Sequence, residues 1–141
     1  MRRWRTDEAG NASLEFLTAG VLLLVPLVYL ALALATIQGA TLGVEGAARE
    51  AARAYVQAAT DASGRSSADE SVTVALADHR IDRAPGDLEL HCDTGDADCL
   101  AAGHRITATV RVSVALPLVP VARVPVEATA SAPIFRLGAA P

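Results

Sequence analysis

The sequence predicts an α+β protein with a long N-terminal transmembrane helix and stalk, followed by a small domain of one short helix and a three-stranded antiparallel sheet. Three observations support this prediction. A 29-residue stretch from Phe16 to Val44 carries no charge. An amphipathic segment with helical spacing follows it, and apolar residues recur at every second position beyond Pro85. We therefore expect a transmembrane helix and stalk at 11–62 and a single exported domain at 63–141.

The uncharged stretch is long enough to cross the roughly 30 Å hydrocarbon core of a bilayer as one helix. Arg2, Arg3 and Arg5 precede it, and such positive flanks stay in the cytoplasm while the other end is exported. We expect a single-pass protein of the cytoplasmic membrane whose C-terminal domain lies in the periplasm or at the cell surface. A Sec signal peptide ending near 33–35 and an uncleaved anchor are alternatives with the same hydrophobicity.

The helix is expected to continue beyond the membrane as a stalk. Residues 41–62 are amphipathic, and Glu45 precedes Arg49 by four positions, the favourable order for a helical ion pair. At 1.5 Å per residue, a helix over residues 14–61 would extend about 70 Å. Its apolar stripe is Val44, Ala48, Ala51, Ala52, Tyr55 and Ala59.

Two features inside this helix have both a structural and a functional interpretation. Pro26 lacks an amide hydrogen and should kink or loosen the helix. Such a kink would help extraction of the helix from the bilayer, but prolines are also frequent in ordinary membrane helices. Gly39 and Gly43 form a G-x-x-x-G pair that would let another helix approach closely. Such spacing also arises by chance in a helix rich in alanine and glycine.

A short second helix is predicted from Ala68 to about Arg80. Ser67 and Glu70 have the spacing of a capping box, in which each side chain bonds a backbone amide of the other residue. The preceding residues 64–67 should end the stalk. The alternation of residues 71–74 leaves a strand as the competing interpretation.

Three segments alternate between apolar and polar residues, as half-buried strands do. They are 88–92, 105–116 and 124–134. Pro117, Pro120 and Pro125 should break the connection between the last two, because proline donates no hydrogen bond to a sheet ladder. An antiparallel sheet lying on the short helix or the stalk would bury the three apolar faces.

Cys92 and Cys99 enclose a loop with three aspartates. Two cysteines in an exported domain indicate a disulfide. Calcium bound by the aspartates is an alternative, although the loop lacks EF-hand spacing. Zinc bound by the cysteines with His91 and His104 is another, although C-x6-C is wider than the usual zinc spacing. We predict the disulfide and no metal.

The composition argues against several classes of function. The formal charge of −4 and the absence of a basic cluster argue against nucleic-acid binding. His79, His91 and His104 lie in no nucleophile or metal motif. We therefore expect no catalytic residues, no cofactor and no enzymatic activity.

The start of the apolar stretch resembles the processing site of type IV prepilins. Gly10 is followed five residues later by Glu15, which with Phe16 opens the helix. The Glu15-Phe16 pair, and the alanine- and arginine-rich segment 47–53, resemble more narrowly the TadE-like pseudopilins of tight-adherence (Flp) pilus systems. The resemblance covers residues 10 to about 55, and the rest of the chain is similar only in its pilin-like layout.

The resemblance implies that a prepilin peptidase cuts between Gly10 and Asn11 and removes a cytoplasmic leader at 1–10. The new amine of Asn11 would then pair with the Glu15 carboxylate, which precedes Phe16, in its own or a neighbouring subunit. Other pilins, pseudopilins and the pilus assembly machinery would be its partners in the membrane. The alternative function is a single-pass membrane-anchored binding or interaction domain unrelated to pili.

Overall fold

The chain forms two α-helices followed by three β-strands. A computed structural model describes residues 9–93, 95 and 99–135, with side chains from Leu14 onward. The elements are α1 (Ala9–Gln57), α2 (Asp61–Asp78), β1 (Leu88–Cys92), β2 (Arg105–Leu116) and β3 (Val119–Pro133). The long helix, the short helix and the three strands confirm the predicted α+β class. The chain divides into two compact units, 1–35 and 36–141, with the boundary inside α1.

In the first unit the described residues form helix alone. Leucines and valines from Leu14 to Leu34 expose about half or more of their surface on all sides of α1, a pattern typical of a helix that lies in lipid. Within the described part of the chain, α1 is the one helix long and apolar enough to cross a membrane. This is compatible with a single-pass anchor. The helix continues through Pro26.

The second unit packs one face of α1 against α2 and the sheet. The predicted stripe from Val44 to Tyr55 is buried, whereas Ala59 is exposed. The predicted ion pair between Arg49 and Glu45 forms with a nitrogen–oxygen distance of 2.8 Å. The shared core is built from Val44, Ala47, Ala48, Ala51, Ala52 and Tyr55 of α1, Ala68, Val72 and Leu76 of α2, and Ile106, Ala108, Val110, Val112 and Val126 of the sheet.

The predicted start of α2 was wrong by seven residues. The helix begins at Asp61, and its capping box is formed by Thr60 and Ser63, each side chain bonding the other's backbone amide at 3.2 Å. Gly64 does not end the stalk but lies buried inside α2. A Cβ atom there would lie 3.0 Å from the Tyr55 ring, so Gly64 lets the two helices approach closely. The competing strand at 71–74 is excluded, since these residues are helical.

The sheet is antiparallel with strand order β1-β2-β3. Leu90 lies opposite Ala108 in one ladder, and Ala108 lies opposite Ala130 in the other. The residues of this row face the core, while the alternate residues face outward. On the outer face Arg111 bridges the strands, with nitrogens 2.9 Å from carboxylate oxygens of both Glu89 and Glu127. The predicted alternation of faces is confirmed.

The predicted break between the last two strands was also wrong. β3 begins at Val119, after a two-residue turn at Pro117 and Leu118, and it includes Pro120 and Pro125. It tolerates them because it is an edge strand, where a missing amide hydrogen can face away from the neighbouring strand. The Leu118 backbone adopts a left-handed conformation, with φ of 64°, which closes the turn.

Candidate functional site

The proposed processing junction lies in the first turns of α1. Gly10 and Asn11 are helical, and no side-chain geometry is described before Leu14. The Glu15 carboxylate is exposed and makes no ion pair with a described residue. In a helix, positions 11 and 15 lie one turn apart on the same side. An amine created at Asn11 would therefore lie within reach of the Glu15 carboxylate.

Glu15 lies at the start of the apolar part of α1. Phe16 exposes 81% of its surface and Leu17 62%. Thr18, three residues after Glu15, donates its hydrogen bond to the Leu14 carbonyl oxygen at 2.7 Å, so its hydroxyl hydrogen is not directed to the carboxylate. A carboxylate at the edge of an apolar membrane segment is costly unless a cation reaches it.

The two glycines of the G-x-x-x-G pair have different surroundings. A Cβ atom on Gly43 would lie 2.7 Å from Cγ of His79, the C-cap residue of α2. A Cβ atom on Gly39 would meet nothing within 4 Å. Gly43 is thus used for packing inside the chain, and Gly39 faces open space. A role for the pair in binding another helix stays a prediction.

The structure joins Cys92, the last residue of β1, to Cys99, with Cα atoms 5.8 Å apart. Both cysteines are buried. His104 Nδ1 lies 3.6 Å from a carboxylate oxygen of Asp93, and the other two aspartates of the loop lie outside the described residues. Among the residues that are described, no group of three or more histidine, cysteine or acidic side chains could hold a metal ion.

Two polar clusters in the second unit were not predicted. At the corner between α1 and α2, the Tyr55 hydroxyl donates to Asp61, which also accepts from Arg65 Nε at 2.8 Å. Burial, followed by the hydrogen bond to Asp61, raises the pKa of Tyr55 to about 12. The hydrogen bonds from Arg65 and Tyr55 hold the pKa of Asp61 below its usual value. Helical spacing between Asp61 and Arg65 was the only available signal.

The second cluster ties the segment after α2 back onto the helix. Arg83 Nη1 donates to the Asp69 carbonyl oxygen at 2.8 Å and to a carboxylate oxygen of the same residue at 2.9 Å. The hydrogen bond from Arg83 lowers the pKa of Asp69. Fourteen residues separate the partners, so the sequence alone offered no signal for this pair. Both clusters are structural ties and bring together no nucleophile with a base.

The three histidines are placed separately. His79 packs over Gly43, His91 lies on the outer face of β1, and His104 lies just before β2. The predicted absence of a catalytic motif stays a prediction.

No family model, curated protein or solved structure matches the chain. The case for a function therefore depends on the junction at Gly10 and on the helix that follows it.

Proposed function

We propose that this chain is a non-enzymatic, pseudopilin-like membrane protein that acts in the assembly of tight-adherence (Flp) pili. In this proposal a prepilin peptidase cuts after Gly10. One observation carries it: Gly10 and Glu15 have prepilin spacing at the start of a 49-residue helix whose first part is apolar on all sides. A plain anchor or a Sec signal peptide gives no reason for this pair of residues.

Processing would change the electrostatics of the helix start. The leader holds Arg2, Arg3 and Arg5, and these charges keep the start of the helix at the cytoplasmic face. Cleavage removes them and creates an amine one helical turn from Glu15. The carboxylate then pairs with that amine or with the amine of a neighbouring subunit, which fixes the depth of one subunit against the next.

Two variants in the native host test this proposal. Glu15→Ala should insert and be cleaved normally but should fail to support pilus assembly, because it lacks the carboxylate that meets the new amine. Gly10→Leu should block cleavage, because a bulky side chain then replaces the small residue directly before the cleavage site. A processing blot and a piliation assay on each strain measure both effects.

Glu70→Ala is the matched control. Glu70 is an exposed glutamate on α2 with no ion pair to any residue that the structure describes, so its loss should leave processing and piliation unchanged. Normal piliation in Glu15→Ala would contradict the assembly role. Equal defects in Glu15→Ala and Glu70→Ala would also contradict it, because the effect would not be specific to the helix start.

A further inference from the structure

The tip of the β2–β3 hairpin is an exposed apolar surface. Residues 112–122 carry no charge, and they are flanked by Arg111 and Arg123. Leu118 exposes 81% of its surface and Val121 90%. Soluble domains rarely place neighbouring large apolar side chains at a tip unless something covers them.

The shape of the hairpin presents these side chains outward. β1 pairs with β2 only from Ile106 to Val110, so the rest of the hairpin projects beyond β1. Ala115 lies opposite Arg123, but the next residue, Leu116, lies opposite Val119. Residues 120–122 therefore form a bulge, a feature that often redirects side chains at the rim of a sheet.

The tip lies at the Thr36 end of the second unit. Arg49 and Arg53 of α1 border the same groove as residues 129–133 of β3. Gly43, nearer the start of α1, packs against His79 at the end of α2. Residues 82–84, which follow His79, border a groove with residues 111–113 of β2. Moving along β2 toward the turn thus means moving toward lower residue numbers on α1. The tip continues this trend beyond Gly43.

The membrane surface is expected at the same end of the unit. About 20 apolar residues cross the hydrocarbon core, so a span that starts at Leu14 ends near Leu34. The second unit begins two residues later, at Thr36. Chain connectivity alone therefore places the start of this unit at a bilayer surface.

We propose that the hairpin tip is a second membrane contact, in which Leu118, Val119 and Val121 insert into the headgroup and upper acyl region of the bilayer that α1 spans. Apolar side chains at such a surface bury about 5–10 Å deep. Arg111 is paired with Glu89 and Glu127, but Arg123 lies in no ion pair with a described residue. Arg123 is therefore available to lipid phosphates. The contact requires α1 to be a membrane anchor but does not require a role in pili.

Single tryptophans in the full chain test the contact. Trp4 is the one natural tryptophan, so Trp4→Phe gives a silent background in which Leu118→Trp reports on the tip. Phe135→Trp is the matched control, because Phe135 is 83% exposed and follows β3 at the opposite end of the hairpin. Leu22→Trp, inside the apolar part of α1, reports on the anchor.

The proteins are reconstituted into phosphatidylcholine and phosphatidylglycerol vesicles, with and without lipids brominated in the upper acyl chain. Leu118→Trp and Leu22→Trp should show blue-shifted emission and lose intensity with brominated lipid. Phe135→Trp should keep the emission of a water-exposed tryptophan. Val121→Lys, added to Leu118→Trp, should reduce the quenching at the tip.

The controls separate the ways in which the contact can fail. Quenching of Leu22→Trp without quenching of Leu118→Trp would overturn the tip contact while leaving the anchor in place. Absence of quenching in both would overturn the anchor and, with it, the contact. A blue shift of Leu118→Trp that disappears on dilution of the protein in lipid would identify a second copy as the occupant and would also overturn the proposal.

Discussion

Among single residues, Tyr55 connects α1 to α2 in two ways. Its ring is fully buried against Gly64, and its hydroxyl donates to Asp61 at the start of α2. One side chain thus supplies both apolar packing and a polar tie at the corner between the helices. Removing the Asp61 carboxylate would take away the acceptor of the Tyr55 hydroxyl, which makes the corner sensitive to Asp61.

The raised pKa of Tyr55 predicts a loss of stability in alkali. Because the folded pKa of about 12 exceeds the unfolded value of 10.0, the folded state holds this proton more tightly. The stabilisation is complete below pH 10 and is lost as the pH rises toward 12. Two pKa units correspond to about 2 to 3 kcal/mol in the free energy of unfolding. Denaturant titrations of the micelle-solubilised chain at pH 9, 10 and 11 should show about 1 to 1.5 kcal/mol of this loss, because the rest falls above pH 11.

Tyr55→Phe is the control for the alkaline loss. It should be less stable near neutral pH by about 1 to 2 kcal/mol, since it lacks the hydrogen bond to Asp61. Its stability should then change little between pH 9 and 11. An equal alkaline loss in Tyr55→Phe would show that another group causes it.

The cysteine pair gives a second prediction at this scale. Closing the eight-residue loop from Cys92 to Cys99 should stabilise the folded chain by about 2 to 3 kcal/mol in the chain-entropy model. Reduction should lower the melting temperature, and the double variant Cys92→Ala, Cys99→Ala should melt at the lower temperature with or without reductant. Mass spectrometry of non-reduced exported protein should find the pair joined. Two alkylated thiols in native protein would contradict this prediction.

At the scale of elements, α1 and α2 pack through two glycines, Gly43 and Gly64, and the sequence did not distinguish Gly64 from a residue that ends a helix. Gly64 had suggested the end of a helix because glycine often terminates helices. In the structure it lies inside α2, where close contact with Tyr55 outweighs its low helix propensity. The capping box at Thr60 was missed because its third residue is Ser63 and not the expected glutamate or glutamine.

The two glycines of the G-x-x-x-G pair in α1 predict opposite effects of the same substitution. Gly43→Ala places a methyl group against His79 and should destabilise the chain by about 1 to 3 kcal/mol through overpacking. Gly39→Ala meets nothing within 4 Å and should be neutral or stabilising by up to about 1 kcal/mol, because alanine is the better helix former.

Denaturant unfolding of the two variants measures the difference. Equal stabilities would contradict the intramolecular role of Gly43. A Gly39→Ala chain that is stable but defective in assembly would support the predicted approach of another helix at that position.

The strands were predicted with small errors because alternation is a local signal. β1 and β2 have the predicted bounds, and their apolar positions face the core. β3 begins five residues earlier than predicted, at Val119. The prolines predict a break because the sequence does not show that β3 is an edge strand. Strand order is a tertiary property, and it decides whether a proline is tolerated.

At the scale of the whole molecule, the sequence predicted the order of the elements but not the contacts that close the second unit. Residues with regular spacing, such as the stripe from Val44 to Tyr55, were predicted well. The tie between Asp69 and Arg83 was not, because its partners are far apart in sequence and on different elements. The hairpin tip was likewise missed, since its exposure depends on how far β1 extends along β2.

The central claim is that the chain is processed after Gly10, and the N-terminus of the mature protein tests it most directly. Cleavage removes three arginines and two acidic residues, so the formal charge should change from −4 to −5 and the chain should keep 131 of its 141 residues. N-terminal sequencing of protein from membranes of the native host should begin at Asn11. A start at Met1 would instead indicate an uncleaved anchor, and a start at Thr36 a Sec signal peptide, and either result would contradict the account.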